Sequence, residues 1–98
     1  MASRTRLAAR LDLIEQARGQ FHITFRTAAG RTFSLDVADV LAICMDCLTW
    51  MYADDPDTER PRGRIVEQLA TAVQDDDQGL IGNTAIVAAR YAVQGVQP

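Results

Sequence analysis

FHITFRTAAGRTFSLDVADVLAICMDCLTWMY, residues 21–52, changes its hydrophobic period once, and that change decides the fold. Phe21, Ile23 and Phe25 alternate with His22, Thr24 and Arg26, and Phe33 and Leu35 alternate with Thr32 and Ser34. A period of two is the mark of a half-buried strand, because successive side chains point to opposite faces. With Ala28-Ala29-Gly30 as a three-residue loop closed by a left-handed glycine, Thr27 faces Arg31 and Phe25 faces Phe33. Ile23 then faces Leu35, and Phe21 approaches Val37. Inward residues meet inward residues throughout, so turn chemistry and patterning agree on a β-hairpin over about 21–35.

From Val37 the period becomes helical. Asp36 has the side chain of an N-cap, and Asp39 in the first turn suits the helix dipole. Val37, Val40, Leu41, Cys44, Cys47, Leu48 and Met51 form a stripe, with Ile43 and Trp50 on one flank and Met45 and Tyr52 on the other. The apolar arc spans roughly 220°, where a surface helix needs about 100° or somewhat more. A helix over about 37–53 with this pattern is either the central post of the domain or half of an interface. Asp54-Asp55-Pro56-Asp57 ends it, since the residue before a proline resists helical angles.

Working outward, Leu7, Leu11 and Ile14 recur at helical spacing between Ser3 and Arg18, and Gly19 follows as a C-terminal cap. Beyond the acidic loop, Ile65, Val66, Leu69, Ala72 and Val73 predict a helix from near Pro61 to about Gln74. Ile86, Val87, Ala89, Ala92 and Val93 predict another over roughly Asn83–Gln94. The 98 residues suffice for one domain and one core, spanning 1–98. The expected class is α+β: N-terminal helix, hairpin, long central apolar helix and two further helices.

Charge is uneven. Six Arg and two acids up to residue 35 leave +4, and four Arg and eleven acids from residue 36 leave −7. A net acidic domain this small is not expected to hold nucleic-acid phosphates, which require cationic contacts. The apolar run is broken by Asp39 and Asp46 and is too short for a membrane span. The N-terminus lacks the apolar stretch of a secretory signal, so a cytoplasmic location is expected.

Chemistry is sparse. Cys44-Met45-Asp46-Cys47 is a C-x-x-C, but it falls about eight residues into the predicted helix, away from the N-terminal dipole that activates such thiols. Apolar burial and the neighbouring Asp46 both raise a thiol pKa, so these read as core cysteines. Two Cys and one His fall short of a zinc set. Counting an EF-hand from Asp55 places Arg60 where Gly is needed and Val66 where Glu is needed. His22 falls on the solvent side of its strand with no nucleophile beside it. No catalytic residue, metal or cofactor is therefore expected.

What stands out is apolar surface in excess of one small core. Ile43, Met45, Trp50, Met51 and Tyr52 are the candidate contact residues, of types enriched at protein interfaces. The expected function is a small non-enzymatic regulatory or adaptor protein (an inhibitor, anti-activator or chaperone-like protein) with a protein partner, acting as a homodimer. The alternative readings are a structural subunit of a larger assembly, such as a phage or secretion component, and, further off, a thiol or carboxylate enzyme.

Overall fold

The structure, a computed structural model, describes residues 21–98. The expected helix over Ser3–Arg18 lies outside the described residues. Those described form an α+β fold: β1 (His22–Thr27), β2 (Thr32–Asp36), α1 (Val37–Met51), α2 (Arg64–Thr71), β3 (Ala72–Val73), a 3-10 turn (Asp76–Gln78) and α3 (Gly79–Gln94).

The hairpin forms in the expected register, with Ile23 opposite Leu35 and Phe25 opposite Phe33. Gly30 takes φ 83°, and its N–H donates to the Thr27 carbonyl at 3.0 Å. The Phe25 and Phe33 rings stack at 5.3 Å between centroids. On the outer face Thr24 and Ser34 hydroxyls share a hydrogen bond of 2.9 Å. The Val37 N–H donates to the Phe21 carbonyl at 3.0 Å, which holds Phe21 beside the first residue of α1. Asp36 caps α1 as expected, its Oδ1 accepting from the Ala38 N–H at 2.9 Å.

Two elements differ from expectation. The helix begun near Pro61 starts instead at Arg64, after Gly63 at φ 127°, and it stops at Thr71. Ala72 and Val73 leave it to pair with Thr27 and Arg26, so the sheet has the order β2-β1-β3. Local propensity favours continuing the helix; the unpaired backbone of β1 offers hydrogen bonds that override it. Arg90 fixes the break, with Nε donating to the Ala70 carbonyl at 3.3 Å and Nη2 to the Ala72 carbonyl at 2.5 Å.

The second difference is which helix is central. The 220° apolar arc of α1 reads as a central post, yet that place belongs to the alanine-rich α3. Ala85, Ile86, Ala88, Ala89 and Ala92 of α3 are all buried. It packs against both α1 and α2, and its Gly82 lies where an added Cβ would sit 3.5 Å from Ile23 and Phe25. Small side chains let helix axes approach closely, so a helix with little bulk can serve two neighbours at once. α3 starts at Gly79, earlier than expected, and ends at Gly95 in the left-handed conformation. The Arg60 guanidinium occupies the space beside Gly95, against the negative end of the α3 dipole.

Candidate functional site

The helix arrangement sorts the five contact residues predicted from sequence. Trp50 and Met51 are each only 7% exposed and belong to the chain's own core. Trp50 borders a hollow shared with Asp46, Thr49 and the Thr58–Arg62 segment. Its carbonyl accepts a 2.7 Å hydrogen bond from Gln97 Nε2, so the C-terminal tail reaches back to the end of α1. Ile43 is half-buried against the core. Met45 and Tyr52, by contrast, are 64% and 72% exposed.

Met45 and Tyr52 lie seven residues apart, which puts them on one face of α1, with the half-buried Leu48 between them. Leu48 and Tyr52 share a groove with Leu80, Asn83, Thr84 and Val87 of α3, and the hollow there measures about 320 Å³. Roughly 150 Å³ admits one benzene-sized group, so this groove has room for two large side chains. Leu80, at 83% exposed, is a second apolar knob on its far wall. None of the described residues lining the groove is charged. In sequence, Asp54 and Asp55 follow Tyr52, and Asp76 and Asp77 precede Leu80, with Asp77 lining a separate hollow beside Thr24–Arg26 and Thr32. The sequence signalled the α1 half of this surface through its surplus apolar arc. The α3 half was hidden in Leu80-Ile81-Gly82, which reads ambiguously until α3 is seen to begin at Gly79.

The remaining features perform structural work. Asp55 Oδ1 accepts from the Asp57 N–H at 2.9 Å, and Asp75 Oδ1 from the Asp77 N–H at 3.1 Å. Both acidic clusters are therefore turns in which an aspartate closes its own backbone. Asp75 also pairs with Arg26 at 3.5 Å. His22 is exposed on the outer side of β1, opposite Asp36. Among the described residues, no three His, Cys, Asp or Glu side chains converge as a metal-binding group.

Cys44 and Cys47 are buried and unpaired. Burial raises the Cys44 thiol above its usual range, and burial, then the Asp46 carboxylate, then Cys44 push Cys47 to about 11. The thiolate is the reactive form, so at pH 8 both thiols of the native protein are expected to react with a disulfide reagent more slowly than after unfolding, Cys47 by about a hundredfold. Thiols that react promptly without unfolding would contradict their core placement. The same shift sets an alkaline limit. Folding favours the protonated thiol, so this stability is fully present below the unfolded-state value and is lost as pH rises toward about 11. Chemical denaturation midpoints should fall between about pH 9 and pH 11, and less so in Cys47→Ala once its own packing loss is subtracted.

Among the described residues no helix is long and apolar enough to cross a membrane. No protein-family model, curated protein or solved structure matches this chain.

Proposed function

We propose that this chain is a small non-enzymatic regulatory or adaptor protein that works by docking a protein partner on the α1–α3 face. The observation that carries this reading is the exposure of Tyr52 and Leu80 on one groove whose described lining is uncharged, with exposed Met45 two turns before Tyr52 on the same face of α1. Isolated surface apolar residues are ordinary, but a contiguous set lining a groove is characteristic of interaction sites. The grooved shape suits the apolar side of an amphipathic helix.

The same reading includes a homodimer, built on a different surface. Among the described residues β2 forms one edge of the sheet. The hydrogen bonds Thr27 N–H to Arg31 carbonyl and Val37 N–H to Phe21 carbonyl show that odd-numbered residues face across the hairpin. The backbone groups of Thr32 and Ser34 therefore point away from β1, toward any strand that would pair with β2. Antiparallel pairing of two copies centred on Ser34 keeps Phe33 and Leu35 on the core side of a continuous sheet.

Two variants separate the surfaces. Ser34→Pro removes an outward N–H without touching the hairpin ladder, and it is expected to convert a dimer to a monomer in sedimentation equilibrium. Met45→Glu with Tyr52→Glu is expected to leave the dimer intact and to abolish capture of the partner by affinity purification from the host. Capture at full strength by that double variant, with the chain still folded, would remove the α1–α3 face from the function. Open-ended growth with concentration would favour the structural-subunit reading instead.

A further inference from the structure

We propose that the hollow between the β1–β2 hairpin and the 3-10 turn binds a primary ammonium group, through the Gln78 amide oxygen, the Asp77 carboxylate and the Thr32 hydroxyl. This site is separate from the α1–α3 face, and its loss would leave that face intact.

Gln78, at 5% exposed, is the one polar or charged side chain buried among the described residues. Its Nε2 donates to the Val73 carbonyl at 2.9 Å, which fixes the orientation of the amide, because exchanging its two ends would set oxygen against oxygen. The Oε1 end is buried and has no hydrogen-bond partner among the described residues. A buried acceptor without a donor is costly and rare in folded proteins, so this one points to a donor from outside the chain.

The hollow that Gln78 lines is the way in. It measures about 120 Å³ and is shared with Thr24, Arg26, Thr32, Asp75 and Asp77. A water's share of liquid volume is about 30 Å³, so an ammonium group with a short alkyl stem fits. Some of the polar groups are already engaged. The Thr24 hydroxyl is bonded to Ser34 at 2.9 Å. Asp75 Oδ1 accepts from the Asp77 N–H at 3.1 Å, and its Oδ2 lies 3.5 Å from the Arg26 guanidinium. The Asp77 carboxylate and the Thr32 hydroxyl have no such partner among the described residues.

The free groups select the ligand. Two carboxylates against one guanidinium leave the described lining one negative charge in excess, which favours a cation. An ammonium carries three N–H donors and no acceptor, matching one amide oxygen, one carboxylate and one hydroxyl, and its hydrogen bonds are charge-assisted. Calcium takes about six to eight oxygens, more than this set offers. The chain has no lysine of its own to fill the hollow. The ammonium therefore belongs to a free amine or to a lysine of a partner.

The test is titration of the isotope-labelled full chain with methylammonium chloride at constant ionic strength, read by NMR from the side-chain N–H signals of Gln78, which Gln78→Met identifies by their disappearance. A saturating shift with its half-point in the millimolar range is expected. Tetramethylammonium, which has the charge but no N–H, should give none. Asp77→Asn, at an exposed position, should weaken binding at least about tenfold. Thr32→Val, also exposed and well suited to a strand, should weaken it several-fold, so the outcome does not depend on one variant folding. No saturating shift would overturn the proposal and leave Gln78 to water alone. So would equal shifts with tetramethylammonium, a response to calcium chloride but not to the amine, or full-strength binding by both variants. A lysine blocked at both backbone ends separates the two sources: binding as tight as that of methylammonium assigns the site to a lysine of a partner, and binding of methylammonium alone assigns it to a small amine.

Discussion

Phe25→Ala is expected to cost about 3–5 kcal/mol, the range for emptying a fully buried aromatic site. Phe25 is 0% exposed, stacks on Phe33 at 5.3 Å and, with Ile23, fills the space where a side chain at Gly82 of α3 would lie. The hairpin, its ring pair and the central helix meet there. The site cannot collapse easily, because Gly82 has no side chain to move inward and the paired backbones of β1 and β2 hold the walls apart. Small domains have a net stability of about 5–15 kcal/mol, so the variant would spend most of it. In urea the midpoint should fall by about 2 M with the slope retained. Phe25→Leu should recover more than half of the loss, since it restores most of the volume. A Phe25→Ala midpoint within about 0.3 M of the unaltered chain would mean that the hairpin does not rest on α3.

Arg90→Leu is the second large effect, at about 2–4 kcal/mol, and its mechanism is different. The guanidinium donates to the carbonyls of Ala70 and Ala72, which belong to the last turn of α2 and the first residue of β3. Hydrogen bonds from charged groups contribute about 1.5–3 kcal/mol each, and their loss leaves carbonyls short of donors. Ala72 is fully buried, so water cannot replace the lost donor there without opening the structure. Leucine retains the packing of the stem, which isolates the polar contribution. Lysine offers a point charge rather than a planar fork and should restore about half, by reaching one carbonyl. Hydrogen exchange gives the sharper readout: the Thr27–Ala72 pairing should lose protection before the hairpin does. Equal protection losses in β2 and β3 would show that Arg90 acts through general stability instead.

The parts of this fold legible in the sequence are those whose causes are local. The hairpin was readable because a turn glycine at residue 30 and alternating side chains on both sides demand the same register. The Asp36 cap was readable because the acceptor and the N–H it satisfies lie two residues apart. The cysteines were readable as core thiols because their burial and the charge of Asp46 follow from position along one helix.

The parts that were not legible depend on elements distant in sequence. Ala72-Val73 is a strand only because β1 presents an open edge and Arg90, eighteen residues onward, holds the adjacent carbonyls. Trp50 is buried in the core cluster, and the Thr58–Arg62 segment and Gln97, both distant in sequence, meet it at the hollow it borders and at its carbonyl. The apolar arc of α1 announced more surface than a surface helix needs, but arc width does not say which side a neighbour will cover.

The sequence by itself therefore determined the hairpin, its register, the cap of α1 and the excess of apolar surface, since each follows from spacing along the chain. Only the tertiary structure decided that α3 is the central helix and that Met45 and Tyr52, rather than Trp50 and Met51, are the residues left facing outward. The physical reason is that alanines permit close packing without advertising it: a helix becomes central through what approaches it, and its own side chains carry little trace of that.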